Sequence, residues 1–295
     1  MQKKVLILGG TGMLGHTMFR QLSSRPELDV HAAVRESGGL ATLFPGGLLQ
    51  TIITDVDVNR FDTIIRACST VRPEIVINCI GLVKQLPIAN EPIPAISINA
   101  LLPHRLAVLC RAIGARLIHF STDCVFDGAK GNYRETDPPT ATDLYGISKY
   151  LGEVAEPPHC VTLRTSIIGH EIKGRHGLVE WFLAETGRVR GFTKAIYSGF
   201  PTVEMALIVA ERVIPNPDLI GIFHVSSDPI SKYDLLGLVA KQYERPNEID
   251  PYGDVRIDRS LDSSEFRRIT GYVPPAWPVL VARMHEDYRT FYQRI

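Results

Sequence analysis

The sequence predicts an α/β protein built on a doubly wound parallel sheet. Short runs that are apolar nearly throughout recur along the first 165 residues, as strands covered on both faces require. Longer amphipathic segments alternate with them, so each strand is followed by a helix that crosses over to the next, with right-handed connections. At 295 residues the chain has room for roughly two domains or one large one.

The first strand is expected at residues 4–8, followed by a glycine-rich turn and a helix over Met13–Ser23. Further strands are expected at 29–34, 49–54, 74–79, 116–120 and Cys160–Thr165, all β-branched or leucine-rich. Helices fall between them at 59–70, 98–113 and 143–156. In the helix over 98–113, Leu101, Leu102, Arg105, Leu106 and Leu109 share one face at the i, i+3, i+4 spacing, despite Pro103. Past residue 165 the pattern loosens. Helices are expected at 178–185, 203–213 and 231–243 and a strand at 220–225, and the Pro- and Asp-rich stretch 246–262 reads as loop.

Composition excludes several classes of function. Lys plus Arg and Asp plus Glu both number 32, so no long-range field favours nucleic acid or an anionic membrane. The five cysteines (Cys68, Cys79, Cys110, Cys124, Cys160) are odd in number and widely spaced without CxxC, which argues against a disulfide framework and for a reducing cytoplasm. Residues 1–8 imitate a signal peptide, but the apolar run breaks at Gly9-Gly10 and no run of 18 apolar residues occurs, so a soluble cytoplasmic protein is expected.

The turn Gly9-Gly10-Thr11-Gly12-Met13-Leu14-Gly15 reads GxxGxxG between the first strand and the first helix, the context that a dinucleotide pyrophosphate requires. Gly9 permits the turn, Gly12 admits the pyrophosphate, Gly15 lets helix and strand approach, and the helix N-terminus favours the anion. At the end of the second strand Arg35 stands where an acidic residue would hold the ribose of NAD. A guanidinium there pairs with a 2′-phosphate, so NADPH is expected, with NADH the alternative.

Tyr145 and Lys149 form YxxxK, and on a helix i and i+4 share a face. Positive charge from Lys149 and an oxidised nicotinamide would pull the Tyr145 phenol from its usual pKa of about 10 toward the working range. Ser121-Thr122-Asp123 ends the strand over 116–120 at the carboxyl edge of the sheet, where a hydroxyl can bond a substrate carbonyl as charge develops on its oxygen.

These residues resemble the extended short-chain dehydrogenase/reductase superfamily and, more narrowly, the dTDP-4-dehydrorhamnose reductase family. The resemblance rests on GGTGMLGH (9–16), RPEIVINCIG (72–81), SINA (97–100), HFSTDCVFDG (119–128), YxxxK (145–149) and LRTS (163–166), with weaker echoes in SGFPTVEMA (198–206) and SSEFRRITGY (263–272). It implies a Rossmann-type NADP-binding domain over 1–166 and a smaller, mixed substrate-binding lobe over 167–295, with some segments of the second returning to the main sheet. By resemblance Thr122, Tyr145 and Lys149 are the catalytic trio. Gly9, Thr11, Gly12, Met13 and Leu14 line the pyrophosphate turn, Asp55 and Val56 flank adenine, and Cys79, Ile80 and Gly81 follow the nicotinamide-side strand. The implied reaction is reduction of the C4 ketone of a nucleotide-linked 4-keto-6-deoxyhexose, feeding cell-surface polysaccharide synthesis.

Two segments depart from the family pattern: Asn78-Cys79-Ile80-Gly81-Leu82-Val83-Lys84, and Ile167-Ile168-Gly169-His170 after LRTS. The hexose is therefore dTDP-4-dehydrorhamnose or, as the leading variant, a UDP-2-acetamido-2,6-dideoxy-4-ketohexose. Lys84, Asp123 and Arg175 are candidate substrate contacts. His170 and His176 lack a third ligand, so no metal site is expected. Trp181 and Trp277 read as core anchors, and Cys79 and Cys124 as packing residues. Two other functions fit the scaffold: a nucleotide-sugar epimerase or dehydratase that retains NAD, and a non-catalytic NADP-binding regulatory subunit, since the beta subunit of methionine adenosyltransferase shares this fold. No sequence signal argues for or against a homodimer.

Overall fold

The computed structural model describes residues 2–155 and 158–294. Among the described residues twelve strands follow in chain order: β1 (Lys3–Leu8), β2 (Leu28–Ala33), β3 (Ile52–Ile53), β4 (Ile75–Asn78), β5 (Arg116–Thr122), β6 (Cys160–Thr165), β7 (Ile167–Ile168), β8 (Arg188–Tyr197), β9 (Phe200–Pro201), β10 (Gly221–His224), β11 (Ile230–Ser231) and β12 (Glu248–Asp258). Seven of them form one sheet in the order β10-β6-β5-β4-β1-β2-β3, every neighbouring pair parallel. The order reverses between β1 and β4, which opens a crevice at their carboxyl ends. β10 comes from the second half of the chain and extends the sheet beside β6.

Burial on both faces explains the unbroken apolar strands. Val5 and Ile7 of β1 enter one core cluster and Leu6 and Leu8 the other, all four fully buried. The first helix, α1 (Met13–Ser23), lies on the first face and helix Phe61–Val71 on the second.

The helix expected over 98–113 begins earlier and runs continuously over Pro92–Ile113, through a π-helical stretch at Ile96–Leu101. It is the one described helix long and apolar enough, by length and composition, to cross a membrane. In this fold it covers the sheet, burying Leu102, Leu106, Ala107 and Cys110. Leu101, expected on the buried face, is exposed. Ile93, Ile96, Leu101 and Val108 of this helix, with Ile147, Tyr150 and Leu151 of helix Leu144–Leu151, are all exposed.

Other expectations are corrected in part. The strand over 49–54 contracts to β3, because Gly46–Leu49 turns as a short helix. The helix over 143–156 stops at Leu151, and Glu156 lies outside the described residues. The stretch 246–262 is not loop: β12 fills most of it, pairing parallel to β8 with a register slip between Tyr252 and Arg256. β12 is the edge of the small sheet β11-β8-β12, where Pro251 and alternating charges are tolerated. Helices Ser264–Thr270 and Trp277–Phe291 complete the chain, the second tied to α1 by the bidentate Arg20–Asp287 pair at 2.8 and 3.0 Å.

Candidate active site

The glycine turn sits at the carboxyl end of β1. Gly9 has φ +85°, and a Cβ there would lie 2.9 Å from Ile80 Cγ1. A Cβ on Gly15 would lie 2.0 Å from the Gly9 carbonyl oxygen, so only glycine lets α1 approach the strand this closely. At exposed Gly12 the nearest atom to such a Cβ is 3.4 Å away. α1 has no capping side chain and no carboxylate in its first turn, which leaves its N-terminal N–H groups and positive dipole end available to an anion. Thr11 and Met13 are half-buried; the Leu14 side chain belongs to the core.

The residues expected beside adenine gather at the ends of β2 and β3. Arg35 is exposed and pairs with Glu36 at 3.2 Å. Asp55 takes the left-handed φ of +60°, and the next N–H, of buried Val56, donates to the Val34 carbonyl at 3.1 Å. Across the crevice Cys79 donates its N–H to Leu8 at 3.1 Å, and burial pushes its thiol well up. Ile80 N–H is held by the Asn78 side chain. A Cβ on Gly81 would lie 3.5 Å from Asn99 Oδ1 and 3.8 Å from Lys149 Nζ, so the turn after β4 abuts the lysine.

Thr122 is the last residue of β5, and its Oγ1 accepts the Cys124 N–H and donates to the Asp123 carboxylate, each at 3.1 Å. Tyr145 and Lys149 lie one turn apart on helix Leu144–Leu151, which Asp143 caps by accepting the Gly146 N–H at 2.8 Å. Gly146 docks that helix on the strand end: a Cβ there would lie 2.3 Å from the Cys124 carbonyl oxygen. Lys149 is buried, its Nζ donates to the Phe120 carbonyl at 2.7 Å, and burial lowers its pKa to about 8 against a raising pull from Glu153.

Tyr145 completes the group at this strand end. Its phenol is pushed up, by burial first and then by the Cys124 thiol; the Thr122 hydroxyl opposes this, and Asp123 and Asp143 reinforce it. Behind the trio, Glu153 accepts from Ser121 Oγ at 2.6 Å and from Arg164 at 2.7 and 2.6 Å, all buried.

The substrate candidates separate. Buried Asp123 adjoins Thr122, its carboxyl raised by burial while Arg259 and, more weakly, Lys232 pull it down. Lys84 is half-exposed and pairs with Asp143 at 2.6 Å, which ties the loop after β4 to the Tyr145 helix. Arg175 is exposed, in a loop whose Gly177 approaches the glycine turn; a Cβ there would be 3.7 Å from Met13 Sδ. His170 bonds Glu180 and Tyr243, at 2.5 and 2.8 Å, and His176 is exposed. Among the described residues no group of three or more His, Cys, Asp or Glu side chains could hold a metal ion.

Three residues escaped the sequence reading. Asn99 brackets Leu82 with both its amide atoms, at 2.9 and 3.3 Å, from the π-helical stretch; the SINA tetrapeptide was its signal. Arg259 and Lys232 come from the second half of the chain, where no motif marked them. Lys232 also lines a cavity of about 370 Å³ with Trp181, Arg188, Arg190 and Phe192. Trp181 is 37% exposed there, which corrects its reading as a core anchor, whereas Trp277 is buried and donates to Asp228. A cavity of about 410 Å³ behind the Tyr145 helix includes His104 and His159, both bonded to backbone carbonyls, so size alone does not mark the site.

A parallel sheet with a GxxGxxG turn at its switch point and a Thr–Tyr–Lys group at the next strand end defines an extended short-chain dehydrogenase/reductase. The chain belongs to the RmlD substrate binding domain family, whose profile matches residues 3–290. It is 26% identical over 268 residues to bovine (Bos taurus) methionine adenosyltransferase 2 subunit beta, covering 83% of this chain and 73% of that one. It is 34% identical over 151 residues to dTDP-4-dehydrorhamnose reductase of Streptomyces griseus, covering 51% and 43%. The dTDP-4-dehydrorhamnose reductase of Bacillus anthracis, solved in complex with NADP, has a TM-score of 0.77 at 22% identity over 97% of this chain and 100% of that one. A hypothetical dTDP-4-dehydrorhamnose reductase from Sulfolobus tokodaii has 0.76 at 28% identity, over 93% and 98%.

Proposed function

We propose that the protein is an NADPH-dependent reductase of the C4 ketone of a nucleotide-linked 4-keto-6-deoxyhexose. The observation that carries this reading is that the glycine turn, the Gly81 approach to Lys149 and the Thr122–Tyr145 strand end share one crevice. The residues fit a dinucleotide: the turn offers uncapped N–H groups to a pyrophosphate, Arg35 stands free of the core to meet a 2′-phosphate, and Lys149 reaches the nicotinamide side.

Bound there, the cofactor supplies a hydride to the ketone carbon. Tyr145 then donates its phenolic proton to the oxygen on which negative charge develops, and Thr122 hydrogen-bonds that oxygen. With its pKa raised by burial, Tyr145 is protonated at neutral pH, the state a proton donor starts from. Lys149 holds the cofactor ribose, and its charge stabilises the phenolate left behind. On this reading Arg259 and Lys232, whose charges act on Asp123, meet the substrate diphosphate, and Trp181 and Phe192, which line a cavity with Lys232, receive its base.

Both dTDP-4-dehydrorhamnose and a UDP-linked 2-acetamido-2,6-dideoxy-4-ketohexose remain candidate substrates, because Lys84 and His170 stand in the segments that depart from the family. The five free thiols support a reducing, cytoplasmic setting. The exposed apolar residues on helices Pro92–Ile113 and Leu144–Leu151 support a homodimer, which sedimentation would test.

The likeness to methionine adenosyltransferase 2 subunit beta favours a second reading, a partner-binding subunit. Mixing the protein with NADPH and each 4-keto sugar nucleotide, while following absorbance of the reduced nicotinamide, separates the possibilities. Decay with one sugar supports the reductase and names that sugar. Without decay, NAD released on denaturation would favour an epimerase, and its absence the partner-binding reading.

A further inference from the structure

We infer that Tyr292 and His16 act as a positioning pair for the dinucleotide turn, holding the Gly12–Met13 peptide in the orientation that presents Met13 N–H to a phosphate. The inference rests on the dinucleotide reading of that turn and adds to it a residue 276 positions away in sequence.

His16 is fully buried on α1, and its Nδ1 lies 2.7 Å from the Gly12 carbonyl oxygen. A carbonyl only accepts, so Nδ1 carries the hydrogen. Burial and Arg20 lower the imidazole pKa to about 3, so the ring is neutral at any working pH and Nε2 has a lone pair to offer. Tyr292 Oη hydrogen-bonds that Nε2. Its phenol is pushed up by burial, so it remains protonated and donates. Its one hydrogen is directed to His16 Nε2, with the His170 carbonyl a longer second acceptor at 3.3 Å, and the chain of bonds runs Tyr292 to His16 to Gly12.

That carbonyl also accepts the His16 backbone N–H at 3.0 Å. In a trans peptide the C=O and the following N–H point in opposite directions. Two donors fixing the Gly12 carbonyl along α1 therefore fix Met13 N–H outward, past the helix N-terminus where an anion binds. Without the side-chain bond, Gly12 has no Cβ to limit rotation of this peptide.

Tyr292 is itself held in register. Arg20 pairs with Asp287 one helical turn before it and stacks on Phe291 at 3.8 Å, both from helix Trp277–Phe291 and both reaching the helix that bears His16. Tyr292 Oη also lies 3.3 Å from the His170 carbonyl, so the same residue touches the loop that leads to Gly177 and Met13.

The test is NADPH affinity by direct titration for wild type, Tyr292→Phe, His16→Gln and the double variant, each checked for folding by circular dichroism. Tyr288→Phe serves as the packing control, since Tyr288 stacks on Tyr292. Loss of one neutral hydrogen bond predicts Tyr292→Phe to weaken NADPH about threefold to tenfold, with the double variant no weaker than the weaker single one. KM for NADPH should rise while kcat at saturating NADPH holds. Unchanged affinity in Tyr292→Phe, additive losses in the double variant or an equal loss in Tyr288→Phe would overturn the pair. A wild type that binds no dinucleotide would instead overturn the cofactor reading, and this inference with it.

Discussion

Lys149 Nζ donates to the Phe120 carbonyl oxygen at 2.7 Å, two residues before the Thr122 hydroxyl. The bond holds the ammonium at the end of β5. Burial lowers the lysine pKa from its usual value of about 10.5 to about 8, so the charge proposed to steady the ribose and the phenolate is lost as pH rises through about 8. On the reductase reading, kcat/KM falls on the alkaline side with a midpoint near 8, and a pH profile measures it. Folding shows the opposite sign. Between about pH 8 and 10.5 the unfolded chain holds this proton more tightly than the native one, so the penalty for burying the charge is full below 8 and is relieved as pH rises.

Gly12 and Gly15 separate binding from folding. Gly15→Ala drives a methyl group to 2.0 Å from the Gly9 carbonyl, and is expected to cost about 3 kcal/mol or prevent soluble expression. Gly12→Ala meets nothing closer than 3.4 Å. It should fold with nearly unchanged Tm yet lose NADPH affinity about tenfold, because the new methyl stands where a pyrophosphate must approach. Thermal melts and NADPH titration of the two variants check both statements.

Buried Glu153 and Arg164 meet through two hydrogen bonds while Glu153 also serves Ser121. Arg164→Met leaves an unpaired carboxylate, and urea unfolding should show a loss of about 3–5 kcal/mol. Glu153→Gln also removes the one negative charge that raises the Lys149 pKa, so the alkaline limb of its pH profile should move below that of wild type.

Arg259 and Lys232 pull on Asp123 from the second half of the chain. Arg259→Ala should raise KM for the sugar nucleotide about tenfold with a smaller change in kcat and none in NADPH affinity, as loss of one charge-assisted phosphate contact predicts. An equal rise in the NADPH constant would place Arg259 at the cofactor instead. Arg35 gives the complementary result: Arg35→Ala should lower the preference for NADPH over NADH about fivefold, a modest figure because that side chain is 72% exposed.

Much of this site was legible because its residues are close in sequence to features with a fixed period or a fixed conformation. β6 and α1 have the bounds that their sequences predict, and GxxGxxG and YxxxK each lie within a few residues of the strand or helix that presents them. Gly146 shows what such reading omits: it lies inside YxxxK, yet its task is to admit the Cys124 carbonyl, a contact set by packing. Arg259 was hidden for a related reason. It follows β12, whose alternating charges and Pro251 resemble a loop until pairing with β8 makes it an edge strand. Helical spacing puts Tyr145 and Lys149 on one face but does not show where the ammonium directs its protons, which packing settles at the Phe120 carbonyl.

The central claim is that Tyr145 donates the proton as a hydride reaches the ketone carbon. Its most direct test follows deuterium from NADPH labelled on the transferring face into the sugar, for wild type and Tyr145→Phe, by mass spectrometry of the product. Wild type is expected to give one deuterium at C4 of the product, and Tyr145→Phe a rate reduced by about 10²–10⁴ with NADPH affinity retained. Full turnover by Tyr145→Phe, or product without deuterium, would contradict it.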